Sequence, residues 1–415
     1  MIHIQDKHNC CGCAACVQAC PKHCISFNED EHGFRYPLVD KSLCIDCGLC
    51  EKVCPVINQI DAKKPIKVYA AQNPNEEIRL KSSSGGIFTM LAEAIIDEGG
   101  VVFGARFDKN WEVEHGYTET KEGLEAFRGS KYLQSRTENT YKQAKDFLNA
   151  GRKVLYSGTS CQIAGLKKFL RKEYDNLITV DVICHGAPSP LVWRSYLDDF
   201  LKRPKGAAGK NSVYSSLNEV PVLTGISFRD KSTGWKKFGF VLRGMSASKA
   251  DKNTVLSSVS TEEKQSVLLH ETLDKNVFMQ VFLKNLCLRP SCSACPAKSG
   301  KSQNDISLGD FWGISNYYPN WDDNKGTSLV LIYSSKGEKI FNSLKIHKLK
   351  TSYSEALAGN MCIEESVSES HYVPLFWNTF FSHDLFYIYK TFKCFNSSFL
   401  EKVRNFIKRI LSKII

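Results

Sequence analysis

The sequence predicts a protein of the α+β or α/β class in which a small cysteine-rich domain precedes a larger α/β domain with a mixed sheet. Ten of the 17 cysteines lie within the first 54 residues, and eight of these ten form two runs of identical spacing. Residues 150–185 have a strand–helix–strand pattern, and the near-continuous apolar residues of the second strand are typical of a buried parallel sheet. The length of 415 residues is enough for two or three domains.

The two cysteine runs share the spacing C-x2-C-x2-C-x3-C-P, which is typical of bacterial ferredoxin domains with two [4Fe–4S] clusters. In such domains the fourth cysteine of each run ligates the other cluster. We therefore predict a dicluster domain over residues 1–60 that transfers single electrons. One cluster is assigned to Cys10, Cys13, Cys16 and Cys54, and the other to Cys44, Cys47, Cys50 and Cys20.

Other uses of these cysteines fit less well. Zinc sites usually take their four ligands as two C-x2-C pairs rather than as tandem runs of four. A disulfide framework is not expected, because no secretory signal precedes Cys10, and the cysteine usage predicts a reducing cytoplasm. The net charge of +11 is spread along the chain except at its C-terminal end, so no nucleic-acid partner is expected.

The larger domain is predicted in two parts, residues 66–150 and 151–346. A helix is expected to start at Ile87, after a run of serine and glycine, and to end at Gly99. Two polar segments, 201–220 and 245–266, are predicted to be surface loops. The other predicted strands span 68–72, 101–107, 153–156, 177–184 and 328–333, and the other predicted helices span 161–170 and 336–346.

Residues 347–415 are predicted to form a tail that ends in a basic amphipathic helix, 397–415. Apolar residues such as Phe399 and Ile410 share one helical face, and basic residues such as Lys402 and Arg409 share the other. This pattern is typical of a helix on an anionic membrane surface. A terminal helix packed on its own domain or on a partner has the same pattern, so both alternatives stay open.

A second group of cysteines, Cys287, Cys292 and Cys295, has the spacing C-x4-C-x2-C. We predict that these three residues hold a third cluster, for which the fourth ligand is Cys161 or Cys184; a zinc site is the alternative. Cys161 starts a predicted helix and Cys184 ends a predicted strand. Because the carboxyl ends of parallel strands meet at one edge of a sheet, the two residues are expected to lie close together. Either could instead be an ordinary buried cysteine.

Seven ordered segments carry a family resemblance in addition to the cysteine runs. They are Ser82–Gly86, Arg128–Tyr132, Gly158–Gln162, Cys184–Gly186, Phe228–Lys231, the triplet at Cys287, and Asp305–Gly313. Together they resemble the family of beta subunits of coenzyme F420 hydrogenases and dehydrogenases, over residues 1–345. The resemblance implies an α/β flavin-binding domain that holds FAD and at least one further [4Fe–4S] cluster. It also implies electron transfer between the clusters and a substrate that accepts hydride.

The resemblance also points to the residues that contact the flavin. The candidates are Ser82, Ser83, Ser84, Gly85, Gly86, Arg128, Ser130, Lys131, Tyr132, Gly158 and Thr159. Small residues at a helix start let backbone amides approach a phosphate, and Arg128 and Lys131 could neutralise pyrophosphate. An ordinary helix cap and solvated surface charges are the alternatives.

His185 and Asp230 are the candidates for catalytic roles, His185 as a proton donor near the flavin. A structural hydrogen bond for His185, and a cap or ion pair for Asp230, are the alternatives; the same holds for Asp310. Arg289 lies between two predicted ligands and is expected to tune a cluster potential through its charge.

The predicted function is that of an iron–sulfur flavoprotein oxidoreductase. Its expected partners are reduced ferredoxin or a similar carrier and a small organic substrate, with peripheral contact to the inner face of the membrane through the C-terminal helix. The chain is also similar to bacterial family members associated with surface polysaccharides. One alternative is an electron-transfer subunit without its own substrate; another is a binding or assembly protein with structural clusters.

Overall fold

The computed structural model describes residues 1–202, 221–245, 266–385 and 387–388. The two predicted loop segments therefore lie almost entirely outside the described residues, and the predicted helix 397–415 lies wholly outside them. No helix within the described ranges is long and apolar enough to cross a membrane.

The N-terminal domain contains one antiparallel hairpin and two short helices. They are β1 (Ile25–Glu29), β2 (Arg35–Val39), α1 (Ala15–Ala19) and α2 (Leu49–Lys52). Each helix starts from a residue in the left-handed region, Ala14 with φ 60° and Gly48 with φ 68°. These turns bring the cysteines of each run back toward one point. The ferredoxin-like domain predicted from the cysteine spacing is thus confirmed.

The centre of the molecule is a mixed eight-stranded sheet with the order β13-β3-β12-β11-β7-β6-β4-β5. Strands β11, β7, β6 and β4 are parallel to one another, and the remaining pairings are antiparallel. The strands are β3 (Lys67–Gln72), β4 (Val101–Phe107), β5 (Val113–Thr118), β6 (Val154–Thr159), β7 (Leu177–Val182), β11 (Ile306–Asp310), β12 (Ser328–Ile332) and β13 (His347–Thr351). The predicted mixed sheet is confirmed.

Both predicted parts of the larger domain contribute to this one sheet. Strand β3, from the first part, pairs with β12 on one side and with β13 on the other. The sheet therefore continues past residue 346, the predicted end of this domain. Its central strands are apolar on both faces because helices cover both of them, as expected for parallel pairs.

A smaller antiparallel sheet stands beside the central one, in the order β10-β9-β8. Its strands are β8 (Val222–Asp230), β9 (Gly239–Met245) and β10 (Ser266–Thr272). Trp193, Phe228, Phe240 and Phe278 are almost fully buried between this sheet and its neighbouring helices. The helices of the larger domain are α3 (Glu76–Lys81), α4 (Ile87–Asp97), α5 (Thr140–Asn149), α6 (Ser160–Leu170), α7 (Pro190–Lys202), α8 (Val277–Leu283), α9 (Ser335–Ser343), α10 (Tyr353–Ala358) and α11 (Val373–Phe380).

The first cysteine run packs directly on the larger domain. A methyl group added at Gly165, in α6, would lie 2.8 Å from the Cβ and 2.9 Å from the Sγ of Cys13. The Thr137 hydroxyl donates to the Cys13 carbonyl at 3.1 Å, and the Tyr141 amide donates to the side-chain carbonyl of Gln18 at 3.0 Å. The domain junction is therefore closely packed around the loop that carries the first ligands.

Candidate iron–sulfur and cofactor sites

Two cavities in the N-terminal domain are lined by the cysteines of the two runs. Cys10, Cys13, Cys16 and Cys54 line one cavity, which we call the first site. Cys20, Cys44, Cys47 and Cys50 line the other, the second site. The grouping is that of the sequence prediction, with the fourth cysteine of each run facing the cavity of the other. Four thiols on one cavity are the donor set that a [4Fe–4S] cluster requires, so the residues fit the group.

The two sites differ in exposure. Every cysteine of the first site is buried, whereas Cys44 is half-buried and Cys47 is exposed. Apolar side chains with more than half of their surface exposed, among them Leu43 at 56% and Ile45 at 58%, flank Cys44. The second site is therefore the one that an external molecule can approach.

Each cavity has a fifth thiol that the sequence pattern does not explain. Cys24 lines the second site, and its Sγ lies 3.4 Å from that of Cys20. Cys11 lines the first site, and its pKa is raised well above its ordinary value by the neighbouring Cys13 thiol and by burial, with an opposing effect of the Cys161 thiol across the domain junction. Cys11 thus connects the first site with a cysteine of the larger domain.

Four cysteines of the larger domain form a third group. The pKa of Cys184 is raised well above its ordinary value by burial and by the neighbouring charges of Cys292, Cys161 and Cys295. Burial also raises the pKa of Cys292 to about 12, again with contributions from Cys161 and Cys295. Such effects act between neighbouring groups, and the Ala187 amide, three residues after Cys184, donates to the Cys292 Sγ at 3.3 Å. We call Cys161, Cys184, Cys292 and Cys295 the third site.

Cys287 lies elsewhere. Its side chain is fully buried in an apolar cluster with Leu286 and Phe282. Burial raises the pKa of Cys287 to about 12. Backbone hydrogen bonds of Ser189 and of Cys287 itself lower it, and no other cysteine contributes. The structure therefore brings both Cys161 and Cys184 to Cys292 and Cys295, and places Cys287 in the core, in contrast to the predicted ligand triplet.

Local structure explains how the third site is assembled. Thr159 caps α6 in a capping box with Gln162, and its hydroxyl lies 3.3 Å from the Cys161 Sγ. The Ala187 amide donates to the Cys292 Sγ at 3.3 Å, and the Lys298 ammonium donates to the Cys184 carbonyl at 2.6 Å. A helix start, an amide and an ammonium all favour thiolate, the form that binds iron.

The flavin-candidate segments Ser82–Gly86 and Arg128–Tyr132 meet at one edge of the central sheet. The Ser130 amide and hydroxyl lie 2.6 and 2.8 Å from the Ser83 hydroxyl. Gly85 fits against β3 and β12, because a methyl group there would lie 2.4 Å from the Ala71 carbonyl oxygen. Segments far apart in the sequence thus form one local structure.

Two cations of the segment Phe228–Lys231 join this edge. Arg229 is buried, forms an ion pair of 2.7 Å with Asp310, and donates to the Tyr132 hydroxyl and the Ser83 carbonyl. The ammonium of Lys231 donates to three backbone carbonyls, one of which belongs to Ser84. The Nε of Arg229 is buried and has no hydrogen-bond partner among the described residues. This edge therefore has a buried free donor, while Asp310 balances the charge of Arg229 and burial lowers the pKa of Lys231 to about 7.

The start of α4 lies beside these flavin-candidate residues. Its N-cap is Gly86, with φ 79° and no side-chain cap, so the first amides of the helix have no side-chain acceptor at the cap. Arg128 lies over this helix start, with its Nε 3.4 Å from the Thr89 hydroxyl. Half-buried Lys131 contacts the carbonyls of Arg128 and Gly129. Uncapped amides beside an arginine are a combination that binds phosphate.

The remaining candidates have other surroundings. His185 is hydrogen-bonded to the Asn285 side chain at 2.7 Å and packs edge-on against Phe282. Asp230 forms an ion pair of 2.9 Å with Arg243 on the neighbouring strand. Gly158 and Thr159 belong to the turn that presents Cys161. Their described contacts do not join them to the cluster of residues around Ser83 and Arg128.

Sequence reasoning missed Arg229 and Lys231 as site residues and chose Asp230 between them. Strand β8 ends at Asp230, and its pairing with β9 is irregular between Ser227 and Asp230, so strand alternation does not place Arg229 and Lys231 on one face. Their contacts with Ser83 and Ser84 depend on the folded chain and have no local signal in the sequence. Cys11 was missed for a similar reason, since its contact with Cys161 depends on the domain junction.

A ferredoxin-like domain joined to a mixed-sheet domain with a third group of thiols defines an iron–sulfur electron-transfer protein. The family model for the C terminus of the coenzyme F420 hydrogenase/dehydrogenase beta subunit matches residues 151–355, and the model for its N-terminal part matches residues 68–141. A "4Fe-4S dicluster domain" model matches residues 9–58. The chain belongs to the family of coenzyme F420 hydrogenase and dehydrogenase beta subunits, which is an oxidoreductase family.

Several known proteins are similar to this chain. "Coenzyme F420-dependent sulfite reductase" of Methanocaldococcus jannaschii is 26% identical over 201 residues, which cover 47% of this chain and 30% of that protein. A protein of Methanosarcina mazei that is named as a subunit of F(420)H(2) dehydrogenase is 22% identical over 181 residues, 41% of this chain and 51% of that protein. The chain thus spans about a third to a half of the length of these curated relatives.

Two further similarities are shorter or structural. "Ferredoxin 7Fe" of Hydrogenibacillus schlegelii is 49% identical over 43 residues, 10% of this chain and 49% of that protein. A chain in the structure of the F420-reducing [NiFe] hydrogenase complex from Methanosarcina barkeri has 18% identity and a TM-score of 0.42, and the match covers 72% of this chain and 86% of that chain.

Proposed function

We propose that this chain is an iron–sulfur flavoprotein oxidoreductase that accepts single electrons from a ferredoxin-like carrier and reduces an organic substrate. When bound, three [4Fe–4S] clusters would supply one-electron transfer, and FAD would supply the conversion to two-electron hydride transfer. The observation that carries the proposal is the grouping of Cys161, Cys184, Cys292 and Cys295 in the larger domain. A protein with purely structural N-terminal clusters has no need of a third thiol group next to the first site.

The third site would be held by those four cysteines rather than by Cys287. Cys184 and Cys295 both feel the charge of Lys298, which lowers their pKa against the effect of burial. Cations and amides near thiolates compensate the negative charge that a cluster brings into a protein. The donor set and its surroundings therefore fit iron.

The fit of FAD rests on the sheet edge near Ser83. Arg128 and the uncapped start of α4 offer donors to a pyrophosphate, and the buried Nε of Arg229 offers one more. Asp310 orients Arg229 and accepts a hydrogen bond of 2.8 Å from the Trp235 ring, which fixes the carboxylate. In this proposal these residues bind and orient the cofactor. Catalytic roles for His185 and Asp230 stay predictions from the sequence.

A second candidate function is that of an electron-transfer subunit without its own substrate. The exposed apolar residues Leu43 and Ile45 beside Cys47 favour it, because such a surface suits a protein partner. The relative from Methanosarcina mazei is also named as a subunit. A role in surface-polysaccharide metabolism and contact with a membrane stay predictions from the sequence.

The test is an iron, sulfide, zinc and flavin count on protein purified without oxygen. We expect about twelve irons, the sum for three cubes, and one FAD per chain. Cys292→Ser should lose about four irons. Cys287→Ser is the matched control and should keep all of them, since its thiol lies in the apolar core.

Two outcomes would contradict the proposal. About eight irons with zinc and no flavin would leave a dicluster ferredoxin joined to a binding domain. Iron loss in Cys287→Ser but not in Cys292→Ser would show that the proposed ligand set is wrong. If flavin is present but small molecules are reduced only when a second protein is added, the subunit alternative holds.

A further inference from the structure

Arg289 links the third site to the first. Its backbone is held between the two third-site segments, since its amide donates to the Ala187 carbonyl and its carbonyl accepts from the Cys292 amide, both at 2.9 Å. Its side chain then crosses the domain junction. The Nε donates to the Cys10 carbonyl at 2.7 Å, and one terminal nitrogen lies 3.4 Å from the Cys10 Sγ.

The guanidinium is buried without an acidic partner. Arg289 is 1% exposed, and none of the ion pairs between described residues includes it. Its other donors go to the neutral Gln134 side chain at 3.0 Å and to the Arg35 carbonyl at 3.1 Å, and it lies over the Tyr36 ring at 4.2 Å. A buried charge of this kind is costly unless an opposite charge faces it.

The thiol groups on either side supply that opposite charge once they hold iron. A cluster ligated by four thiolates is anionic, and hydrogen bonds and positive charges near its sulfurs set its reduction potential. Cys10 belongs to the first site, and Cys292 belongs to the third. Cys11 and Cys161, whose neighbouring thiols affect each other's pKa, lie in the same junction.

We infer that Arg289 is a positioning residue shared by the first and third sites: its guanidinium provides the buried positive charge that both thiolate groups face, and it raises the reduction potential of the cluster at the first site. The third-site half of this inference rests on the proposed function. The first-site half needs only the ferredoxin domain. A cluster that is easier to reduce on the inner side of this domain would draw electrons away from the exposed second site.

The test is a redox titration of the iron-replete protein followed by electron paramagnetic resonance. Arg289→Gln removes the charge, and we expect the midpoint potential of the first-site cluster to fall while that of the second-site cluster does not change. The Cys47→Ser variant identifies the second-site signal. Arg289→Lys keeps the charge but not the fork of donors, so a smaller fall is expected.

Gln134→Glu tests the same effect of charge while Arg289 itself stays in place. The substitution is close to isosteric and puts a carboxylate beside the guanidinium, so the first-site potential should fall as in Arg289→Gln. Arg35→Gln is the matched control, because Arg35 is an arginine of the same junction that is already paired with Glu138 at 3.1 Å.

The inference fails if iron-replete Arg289→Gln or Gln134→Glu leaves every midpoint potential unchanged, or if Arg35→Gln causes the same shift. The proposed function has a separate readout, which is the iron and flavin count of the unmodified protein. A shift at the first site in a protein with only about eight irons would support the first-site half of the inference and contradict both the third cluster and the third-site half.

Discussion

The two cysteine runs have the same spacing but lie in opposite environments. The first site is buried against α6, where Gly165 leaves just enough room for Cys13. The second site has the exposed Cys47, and the space beside Gly48 is open. The repeat itself is therefore symmetrical, and the larger domain makes one site internal and leaves the other accessible.

Iron lability should show the largest difference between the two sites. Water and small chelators reach Cys47, so the second site is expected to release about four irons well before the rest when anaerobic protein is exposed to a chelator and air. The release of iron with time measures this. Cys47→Ser should lack the fast phase of iron release, and Cys13→Ser should retain it. A single rate of release for all the iron would contradict the expected difference between the two sites.

The next largest effect is expected on the free energy of unfolding, when a methyl group is added at Gly165. Helix propensity alone would make Gly165→Ala stabilising by about 1 kcal/mol. A methyl group there meets the Cys13 Cβ at 2.8 Å, so we expect a net loss of about 1–3 kcal/mol instead, by overpacking. Thermal unfolding of the holoprotein checks the sign, and a stabilised variant would show that the junction is loosely packed.

The smallest effect on the free energy of unfolding is expected from a substitution at Gly48, the N-cap of α2. Its φ of 68° favours glycine, but a methyl group would touch nothing within 4 Å. Gly48→Ala should therefore cost about 1 kcal/mol through the backbone alone and leave the iron content unchanged. Ala14 already occupies the equivalent conformation at the first site, which shows that alanine can be accommodated there.

If Gly48→Ala lost iron, the second site would depend on its loop geometry as strongly as the first depends on packing. The same thermal melts, with iron counted before and after, decide between these outcomes.

Local spacing was sufficient to predict the ferredoxin domain. Its eight predicted ligands lie in two short segments of the chain, so their convergence depends on little beyond those segments. The strand and helix predictions for residues 68–107 and 153–182 were confirmed for the same reason, since apolar periodicity is a local property. The central helix α6 begins at Ser160, one residue before its predicted start.

At the third site the spacing leaves the ligand set open. Cys287 has a plausible distance from Cys292 in the sequence, but Leu286 and Leu288 flank it, and the chain takes its thiol into the core. Both distant candidates, Cys161 and Cys184, lie near Cys292, and we propose both as ligands in place of Cys287. Which cysteines meet depends on strand order, and the position of β7 between β6 and β11 is not encoded in any short segment.

The position of β3 has a consequence for biosynthesis. This strand is made early, yet its two neighbours, β12 and β13, begin only at residues 328 and 347. During translation the N-terminal domain can fold as soon as it is made, while β3 waits with both edges unpaired for more than 250 further residues. The first site packs on α5 and α6, so we expect it to stay open to iron delivery on the nascent chain until these helices have folded against it.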